Sequence, residues 1–493
     1  MSINQTFTDF VTPVPADWLN NVNNTVNYAP GFVGSVPYSL TAKIKDTVSV
    51  TDFGGPVGTD MQPAIAKAMT YLTSVGGGNL YIPRGNWTIG TANTSIPTNI
   101  NLIGEGSGTI LKMSVTGVMF HVTGANVTFS NMLLDGNNYQ GTRCITHGQN
   151  YVSVIRCFIQ KFQYGVYVED NNALFQSMTI RDSFLINNTV NVFHQGNHIN
   201  GVIDNCYIYG GDSVIYDFLN QHCEGMRITN SLLLPSALNT SPGRGIVINA
   251  GLEFEFNNTI VDQVQQYAVI ISGLTAPSSV AMMKFNNCWF GFNVTPSATG
   301  VGTLIQGQVT QVVFRDCSWA VCPTYGVQIQ NAAGYIPTNI TFDGGFYLNN
   351  VTGDFVNNAT AGTFIVENQY FAHATNPYQE NNNNILTMLH HNTFPVKPVS
   401  ISTSTKHGSN IGIVTINSGS GTIAGAGTST TITHGLSYVP DASDITIVTT
   451  QSPTNNIGPV VITSVGATTF NVGVWGSPGA TAWNFRWKAN MDK

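Results

Sequence analysis

Apolar and polar positions alternate in one short phrase that recurs from about Phe120 to Phe371. The phrase is apolar-x-apolar-x, followed by a turn residue, a small residue and an apolar pair. Successive turn residues stand 23 to 29 positions apart, at Asn131, Arg156, Asp182, Asn205, Asn230, Asn258, Asn287, Asp316, Gly344 and Asn368. A regular period of about 20–50 residues with strand-like content is typical of a solenoid, in which each repeat stacks on its neighbours.

Two residue columns follow the turn and indicate the kind of solenoid. Small residues form the first column, at Met132, Cys157, Ser183, Cys206, Ser231, Thr259, Cys288 and Cys317. Large apolar residues form the second, which Ser318 interrupts, at Leu133, Phe158, Phe184, Tyr207, Leu232, Ile260 and Trp289. We expect both columns to point inward. A leucine-rich horseshoe would show shorter, leucine-dominated repeats, so the sequence predicts an all-β fold, a right-handed parallel β-helix with three short strands per coil.

The turn column supports the same prediction. Asn and Asp tolerate left-handed backbone angles and form hydrogen bonds with nearby groups. We therefore expect the turn residues of adjacent coils to form a ladder along the β-helix.

The pattern divides the chain into four parts. Residues 1–45 form a leader with a short predicted helix from Asp17 to Val26, and residues 46–372 form the β-helix. Residues 373–410 are predicted to be a polar connector, and residues 411–493 an antiparallel, sandwich-like β-domain. The six strands predicted in this last domain are Ile411–Ile416, Ser429–Thr433, Ile445–Thr449, Val460–Val465, Thr469–Val474 and Trp483–Trp487.

A helix predicted at about 60–73 should cover the open end of the coils, where exposed strand edges would otherwise invite aggregation. Its apolar stripe recurs at helical spacing. The stripe consists of Ala64, Ile65, Ala68, Met69 and Leu72.

Composition narrows the possible functions. Charged residues are only 9% of the chain, the formal net charge is −7, and 42% of the residues are hydrophobic. This supports a large core and, without a basic stripe, disfavours nucleic acid as the partner. No apolar run reaches about 18 residues and no secretory signal is evident, so we expect neither membrane insertion nor export by a signal peptide.

Cysteine and histidine positions favour structure over metal binding. Four of the seven cysteines fall in the small-residue column, which favours buried, reduced thiols. The pair His390 and His391 lacks further ligands at a convincing spacing. We therefore expect no metal and no cofactor.

The start of the solenoid carries a specific resemblance. Val50-Thr-Asp-Phe-Gly-Gly55, the capping helix, Gly76–Gly78 and Pro83-Arg-Gly85 are similar to the entry of pectate-lyase-like β-helices. Together with the leader motif Trp18-Leu-Asn-Asn-Val-Asn23, the solenoid resembles bacteriophage tailspikes and tail-fibre depolymerases. The resemblance implies a homotrimer on the phage tail, made in the host cytoplasm, that binds and cleaves capsule, exopolysaccharide or O-antigen at the bacterial surface.

The same resemblance extends to both ends of the chain. It implies that the leader attaches to a phage tail or baseplate protein. Thr433-His-Gly-Leu436, Ala467-Thr-Thr-Phe470 and Phe485-Arg-Trp487 resemble C-terminal sandwich domains of phage tail proteins. Such domains imply trimerisation first and carbohydrate binding second. Trp475, Trp483 and Trp487 are of a type that stacks on sugars but more often fills a core or an interface.

The strand before each long loop carries the candidate site. Five phrases align, Arg143–His147, Gly165–Glu169, Asn191–Gln195, Ser213–Asp217 and Gly245–Asn249. Alternation points the second and fourth residue of each phrase inward, which places His194 and Tyr216 inside, and the third and fifth outward. The outward column is then His147, Glu169, Gln195, Asp217 and Asn249, with Tyr167 and Phe193 beside it. Aromatic platforms next to a polar ladder, with Arg143 at the edge, suit a long sugar chain.

Two carboxylates in this column predict hydrolysis. Glu169 and Asp217 lie two coils apart, about 9–10 Å between backbones, and carboxyl groups about 6.5–9.5 Å apart suit an inverting glycosidase. The column offers neither acid an obvious salt-bridge partner, so partial desolvation could raise a carboxyl pKa enough for acid catalysis. Asp170, Asp212 and Glu224 are alternative partners, and an ordinary solvated surface of acids is the simpler interpretation of any one pair.

Two other functions stay open. A lyase would use Arg143 to neutralise a uronate, with His147 and Tyr167 supplying the base. A non-catalytic receptor-binding spike would use the same groove. Polygalacturonases carry a Gly-Asp-Asp step and a Gly-His-Gly step, whereas this chain has Gly211-Asp-Ser213 and no Gly-His-Gly. It also lacks the grouped Asp residues of calcium-dependent pectate lyases, so neither mechanism transfers.

Overall fold

The repeats form a parallel β-helix. The computed structural model describes residues 27–28, 38–39, 47–54, 60–138, 140–169, 175–217, 223–274, 280–292, 300–382, 385–394, 406–407, 416–436, 439–450, 457–479 and 482–490. The helix predicted from Asp17 to Val26 lies outside these residues. Of the leader, two short strands are described, Asn27–Tyr28 and Tyr38–Ser39, and they pair antiparallel.

Sheet A is a single parallel sheet of 12 strands that runs along one face of the β-helix. Its strands are Thr94–Ile96, Gly117–Val122, Thr142–His147, Tyr164–Val168, Val190–His194, Asp212–Tyr216, Ile246–Ile248, Tyr267–Gly273, Val301–Gly307, Tyr325–Gln330, Gly353–Asn358 and Tyr378–Glu380. Each strand pairs in parallel with the strand one coil away, as stacked coils require.

Two further parallel sheets, B and C, meet at the turn residues. Sheet B precedes the turn and contains Thr47–Ser49, Gly78–Tyr81, Ile100–Met113, Val127–Asp135, Val152–Ile155, Thr179–Arg181, Val202–Asp204, Arg227–Thr229, Glu255–Asn257, Val280–Asn286, Val309–Ala320, Thr338–Leu348, Gly362–Glu367, Ile385–His390 and Lys406–His407. Sheet C follows the turn and contains Gly85–Ile89, Phe158–Gln160, Phe184–Ile186, Tyr207–Tyr209, Leu232–Leu234, Ile260–Val264 and Trp289–Phe292. Four long strands of sheet B continue through the turn into sheet C, those that begin at Ile100, Val127, Val309 and Thr338.

Short strands mark the corner between sheets A and B. They are Phe175–Gln176, His198–Ile199, Cys223–Glu224 and Gly251–Leu252. A 3-10 turn, Val50–Phe53, precedes the coils.

The ten predicted turn residues all adopt the left-handed backbone conformation, with φ between 49° and 71°. The side chains also form the expected ladder. Asn205 Nδ2 donates to Asp182 Oδ1 at 2.8 Å, and Asn287 Nδ2 donates to Asn258 Oδ1 at 2.9 Å. The turn prediction is therefore confirmed, because the short polar side chains satisfy each other one coil apart.

The two residue columns after the turn point to opposite faces of the sheet. The small-residue column points inward, and all seven cysteines are free and buried. The prediction that the large apolar column also points inward is wrong. Phe184 is 47% exposed and Ile260 is 44% exposed, whereas the next residues, Leu185 and Val261, are fully buried. Consecutive side chains of a strand point to opposite faces, so a large residue that follows an inward small residue must point outward.

Helix α1, Gln62–Ser74, is the predicted capping helix. The five residues of its apolar stripe are all buried against the first coils. Asp60 Oδ1 accepts a hydrogen bond from the Gln62 backbone N–H at 3.0 Å at the start of the helix. At the other end, the Gly77 N–H donates to the Leu72 carbonyl at 2.8 Å. The helix therefore covers the end of the core as predicted.

The β-helix continues past the predicted boundary at residue 372. Ile385–His390 pairs in parallel with Gly362–Glu367, and His391 has the left-handed φ of a turn residue, 50°. The predicted connector at 373–410 therefore contains a further coil. The repeat pattern did not predict this coil, because the Asn-rich segment that joins its strands has no apolar alternation.

The C-terminal residues form two antiparallel three-stranded sheets, as predicted. One contains Ile416–Ile423, Trp483–Asn490 and Ile445–Thr449, and the other Ser429–Thr433, Thr469–Val474 and Val460–Val465; a 3-10 turn, Ala442–Asp444, precedes Ile445. Residues 411–415 of the first predicted strand lie outside the described residues. Trp483 and Trp487 are buried in a core shared by both sheets, with the Trp487 ring 5.3 Å from Phe470, whereas Trp475 is 80% exposed.

Candidate functional site

The outer face of sheet A carries four of the five predicted column residues. Val168, His194, Tyr216 and Ile248 occupy one inward column of this sheet and are all fully buried. The next residues, Glu169, Gln195, Asp217 and Asn249, stand at one edge of the outer face, all partly exposed. Their backbone N–H groups continue the parallel ladder, and that of Asp217 donates to the His194 carbonyl at 2.8 Å. The predicted alternation is correct for these four phrases.

The predicted outward position of His147 is wrong by one residue. His147 pairs with Val168, and Arg143 pairs with Tyr164, so the phrase from Arg143 to His147 is shifted by one position against the others. A shift of one residue moves a side chain to the opposite face of a sheet. His147 is fully buried, and its ring lies 6.3 Å from the ring of His198.

A histidine that the sequence did not single out pairs with Glu169. His121 Nε2 lies 2.8 Å from Glu169 Oε1, and the two side chains are 39% and 32% exposed. Glu169 therefore has an imidazole partner that the sequence did not indicate. The residues come from coils two apart, and His121 is in register with Thr146 of the intervening coil and, through it, with Tyr167. The sequence held a signal for His121, because Gly117–Val122 has the same alternation as the aligned phrases and lies one coil before the first of them.

Asp217 has a neutral partner. Asn249 Nδ2 donates to Asp217 Oδ1 at 3.0 Å, which links neighbouring coils at the edge of sheet A. Glu169 and Asp217 therefore have different surroundings, an imidazole for the first and an amide for the second.

An amide ladder extends this edge beyond Asn249. Gln306 Nε2 donates to Ser272 Oγ at 3.0 Å, Gln330 Nε2 to Gln306 Oε1 at 2.9 Å, and Asn381 Nδ2 to Asn358 Oδ1 at 2.6 Å. The sequence alignment stopped at Asn249 and missed these residues. Ile271-Ser272, Ile305-Gln306 and Ile329-Gln330 repeat the same pattern of an inward aliphatic residue followed by an outward polar one.

An aromatic platform lies beside the polar edge. The Tyr167 and Phe193 rings stack with centroids 5.3 Å apart, and the Arg143 guanidinium lies 3.8 Å from the centroid of Tyr167. The Tyr167 hydroxyl hydrogen-bonds Gln195. Burial raises the pKa of the Tyr167 phenol, so the hydroxyl is neutral at physiological pH. Tyr167 is only 7% exposed, so Phe193 is the more accessible ring, and a planar ring of this kind suits the apolar face of a sugar.

The remaining predicted acids lie apart from this pair. Asp212 is 1% exposed, and its Oδ2 lies 2.6 Å from the Arg244 Nη2, while its Oδ1 accepts from the Arg244 backbone N–H at 2.7 Å. Both carboxylate oxygens are therefore occupied. Glu224 lies at the corner between sheets A and B, where it pairs with Ile199 and Leu252. Asp170 lies outside the described residues.

A polar cavity of about 300 Å³ opens at the corner that precedes strand Tyr164–Val168. Amide side chains line it together with one cation, Lys161. Among the described residues, no group of three or more His, Cys, Asp or Glu side chains could hold a metal ion. In the same part of the chain, no helix is both long enough and apolar enough to span a membrane.

Comparison with known proteins relates this fold to solved structures. A scan against protein-family models finds no match for the chain, and a search of curated proteins finds none. The tailspike protein of E. coli bacteriophage HK620, solved with a pentasaccharide, aligns with a TM-score of 0.60 at 12% identity, over 96% of this chain and 98% of the tailspike. The A-module of Azotobacter vinelandii mannuronan C-5 epimerase AlgE6 aligns with a TM-score of 0.49 at 16% identity, over 74% of this chain and 98% of the module. The chain therefore has the right-handed parallel β-helix fold of a phage tailspike.

Proposed function

We propose that the chain is a phage tailspike that binds a bacterial surface polysaccharide on the outer face of sheet A and cleaves it by glycoside hydrolysis. The observation that carries this proposal is the position of Glu169 and Asp217 at one edge of that face, beside the stacked rings of Tyr167 and Phe193. The HK620 tailspike, which has the same fold, was solved with a bound pentasaccharide.

The spacing of the two acids suits an inverting reaction. Their backbones are separated by two strand spacings, about 9–10 Å. Inverting glycosidases hold their carboxyl groups about 6.5–9.5 Å apart, which leaves room for the attacking water. Retaining enzymes need a separation of about 5–5.5 Å, which neighbouring coils would supply more readily than alternate ones.

The proposal gives the two acids different roles. Asp217, which accepts the Asn249 amide, is the base that removes a proton from the attacking water. Glu169, which is hydrogen-bonded to His121, is the acid that gives a proton to the oxygen of the departing sugar. The hydroxide equivalent adds to the anomeric carbon as its bond to that oxygen breaks, so one water is consumed for each bond cleaved.

The length of the polar edge suits a polymer. From Glu169 to Asn358 the edge spans seven strand spacings, about 34 Å. Hydroxyl-rich sugars can replace amide-to-amide hydrogen bonds with bonds to the same side chains. Capsule, exopolysaccharide and O-antigen are all polymers of this kind.

The rest of the chain fits a position on the virion, where the protein would meet the bacterial surface. In this proposal, residues 1–45 attach the protein to a phage tail or baseplate protein. Three copies assemble into the spike, with residues 411–493 contributing to trimerisation or to carbohydrate binding. Removing residues 1–45 should abolish attachment and leave cleavage of the soluble glycan intact.

The decisive experiment is analysis of the ends produced from bacterial surface polysaccharides. New reducing ends without an ultraviolet-absorbing product support hydrolysis. An unsaturated uronate would instead indicate a lyase, for which Arg143 and Tyr167 remain on the outer face but buried His147 does not. Tight binding of the host glycan without any shortening would indicate a receptor-binding spike without catalytic activity.

A further inference from the structure

The polar cavity of about 300 Å³ at the corner before strand Tyr164–Val168 takes no part in the proposed cleavage. Two stacked corners of the β-helix contribute to its lining, residues 161–163 and residues 187–189. Loops from two other coils complete the lining, residues 136–141 on one side and residues 235–244 on the other. We call this space the corner cavity.

Hydrogen bonds hold both loops of the corner cavity in place. The Asn138 backbone N–H donates to the Lys161 carbonyl at 3.1 Å, and Asn239 Nδ2 donates to Thr189 Oγ1 at 2.9 Å. The second loop is also fixed at its end, where Arg244 pairs with the buried carboxylate of Asp212. The cavity is therefore formed before any ligand binds, which lowers the cost of ordering the site.

The lining of the corner cavity suits a sugar residue. Amide and hydroxyl side chains both donate and accept hydrogen bonds, as sugar hydroxyls require, and Leu238 adds an apolar surface for the carbon atoms of the ring. The volume is at the lower end of the roughly 300–1,000 Å³ of ligand pockets, which suits about one or two sugar residues. The polar side chains are those of Asn138, Gln140, Gln163, Asn187, Thr189 and Asn239.

Lys161 gives the corner cavity a positive charge. It is the one charged residue among the lining residues that the structure describes, and the ion pairs of the same part of the chain do not include it. The Asp135 carboxylate of the neighbouring coil accepts from the Asn137 N–H at 2.8 Å and from Gln160 Nε2 at 3.1 Å instead. A hydrogen bond from an ammonium group to a carboxylate is stronger than one between neutral groups. A ligand with an anionic group therefore fits this lining better than a neutral one.

We propose that the corner cavity binds a uronate residue of the polysaccharide, with the Lys161 ammonium on its carboxylate and the amide side chains on its hydroxyls. Gln163 and Glu169 flank the two ends of one strand, so this site lies about 20 Å from the proposed reaction, across sheet A. The formal net charge of the chain is −7, so a single cation suits spaced acidic residues better than a densely charged polymer. The inference rests on the proposed function for the polymer and adds its chemical class, an acidic glycan.

The test measures binding to the full-length protein by ligand-observed NMR. The probes are D-glucuronate, D-glucose as its neutral counterpart and inorganic phosphate as a bare anion. The wild type should bind glucuronate at about millimolar concentration and about tenfold more tightly than either of the others, because only glucuronate uses both Lys161 and the amides. Lys161→Asn should remove this preference over glucose.

The chain offers a conservative variant and a matched control. Lys161 has a φ of 61°, and Asn187, at the same place in the next coil, has a φ of 57°, so Asn suits the backbone at position 161. Lys284→Asn makes the same change at an exposed position of sheet B and should bind glucuronate like the wild type. If Lys161→Asn does not fold, Leu238→Trp fills the cavity from its loop and should abolish glucuronate binding.

Three results would overturn the inference. They are equal binding of glucuronate and glucose by the wild type, glucuronate binding that survives in the folded cavity variants, and phosphate binding as tight as that of glucuronate. Cleavage of polysaccharides is measured separately. A protein that binds glucuronate through Lys161 and cleaves no polysaccharide counts against the proposed function alone, whereas one that cleaves a neutral polysaccharide and does not bind glucuronate counts against this inference alone.

Discussion

Glu169 Oε1 lies 2.8 Å from His121 Nε2, although 48 residues of chain separate the two. The β-helix brings them together across two coils, and Thr146 of the intervening coil is in register with His121 on one side and Tyr167 on the other. In the proposed reaction Glu169 gives the proton that the departing sugar receives.

Replacing His121 tests whether the pair is functional. His121→Gln keeps a polar side chain but removes the imidazole that hydrogen-bonds Glu169. We expect turnover to fall by about tenfold or more, because Glu169 would lose the partner that holds its carboxyl group in place. A folded variant with wild-type turnover would contradict this role.

Replacing the two acids tests the site itself. Glu169→Gln and Asp217→Asn should each lower turnover by about two orders of magnitude or more, with glycan binding retained, because the amides cannot exchange a proton. Asp316→Asn is the matched control. It lies at an exposed turn where Asn stands in other coils, so it should leave turnover unchanged. Wild-type turnover in both acid variants would reject this pair.

We expect the Asp212 carboxylate to stabilise the fold and not to take part in catalysis. Asp212→Asn should lower the free energy of unfolding by about 3 kcal/mol or more, because it leaves the Arg244 charge partly buried without its partner. Asp343→Asn breaks a more exposed pair with Arg315 and should cost less than about 1 kcal/mol. Denaturant unfolding gives both values. Loss of turnover in Asp212→Asn with no change in unfolding would instead support a catalytic role.

The buried histidines predict that acid destabilises the fold. Burial lowers the pKa of His147 to about 4 and that of His198 to about 3. In the unfolded chain these histidines bind protons near pH 6.5, whereas in the folded chain they stay neutral until about pH 4 and pH 3. The fold therefore keeps its full stability above about pH 6.5 and loses stability as the pH falls toward 4 and then 3. Each should reduce the free energy of unfolding by about 2 kcal/mol between pH 7 and pH 5.

The variant His147→Phe measures how much His147 contributes to the loss of stability in acid. Phe has a similar shape and suits the neighbouring Phe175 ring, so the fold should be kept. The difference in unfolding free energy between pH 7 and pH 5 should then be about 2 kcal/mol smaller than in the wild type. An unchanged difference would show that His147 does not contribute to the acid sensitivity.

The sequence by itself determined the period, the turns and the class of fold. Asn and Asp at a fixed spacing specify left-handed turns through local backbone sterics, and ten of ten predicted positions adopt that conformation. The capping helix also followed from local pattern, because its apolar stripe recurs within a single helix. The alternation in Gly165–Glu169 and Ser213–Asp217 placed Glu169 and Asp217 on one face for the same reason.

Only the tertiary structure decided which coils and faces meet. His147 pairs with Val168, a register that depends on the neighbouring strand and moves His147 into the core. His121 reaches Glu169 only because two coils stack. Phe184 and Ile260 are as apolar as core residues, so composition could not reveal that they face outward. The direction of a side chain depends on strand geometry, and the contacts between coils depend on long-range register, which a single sequence does not encode locally.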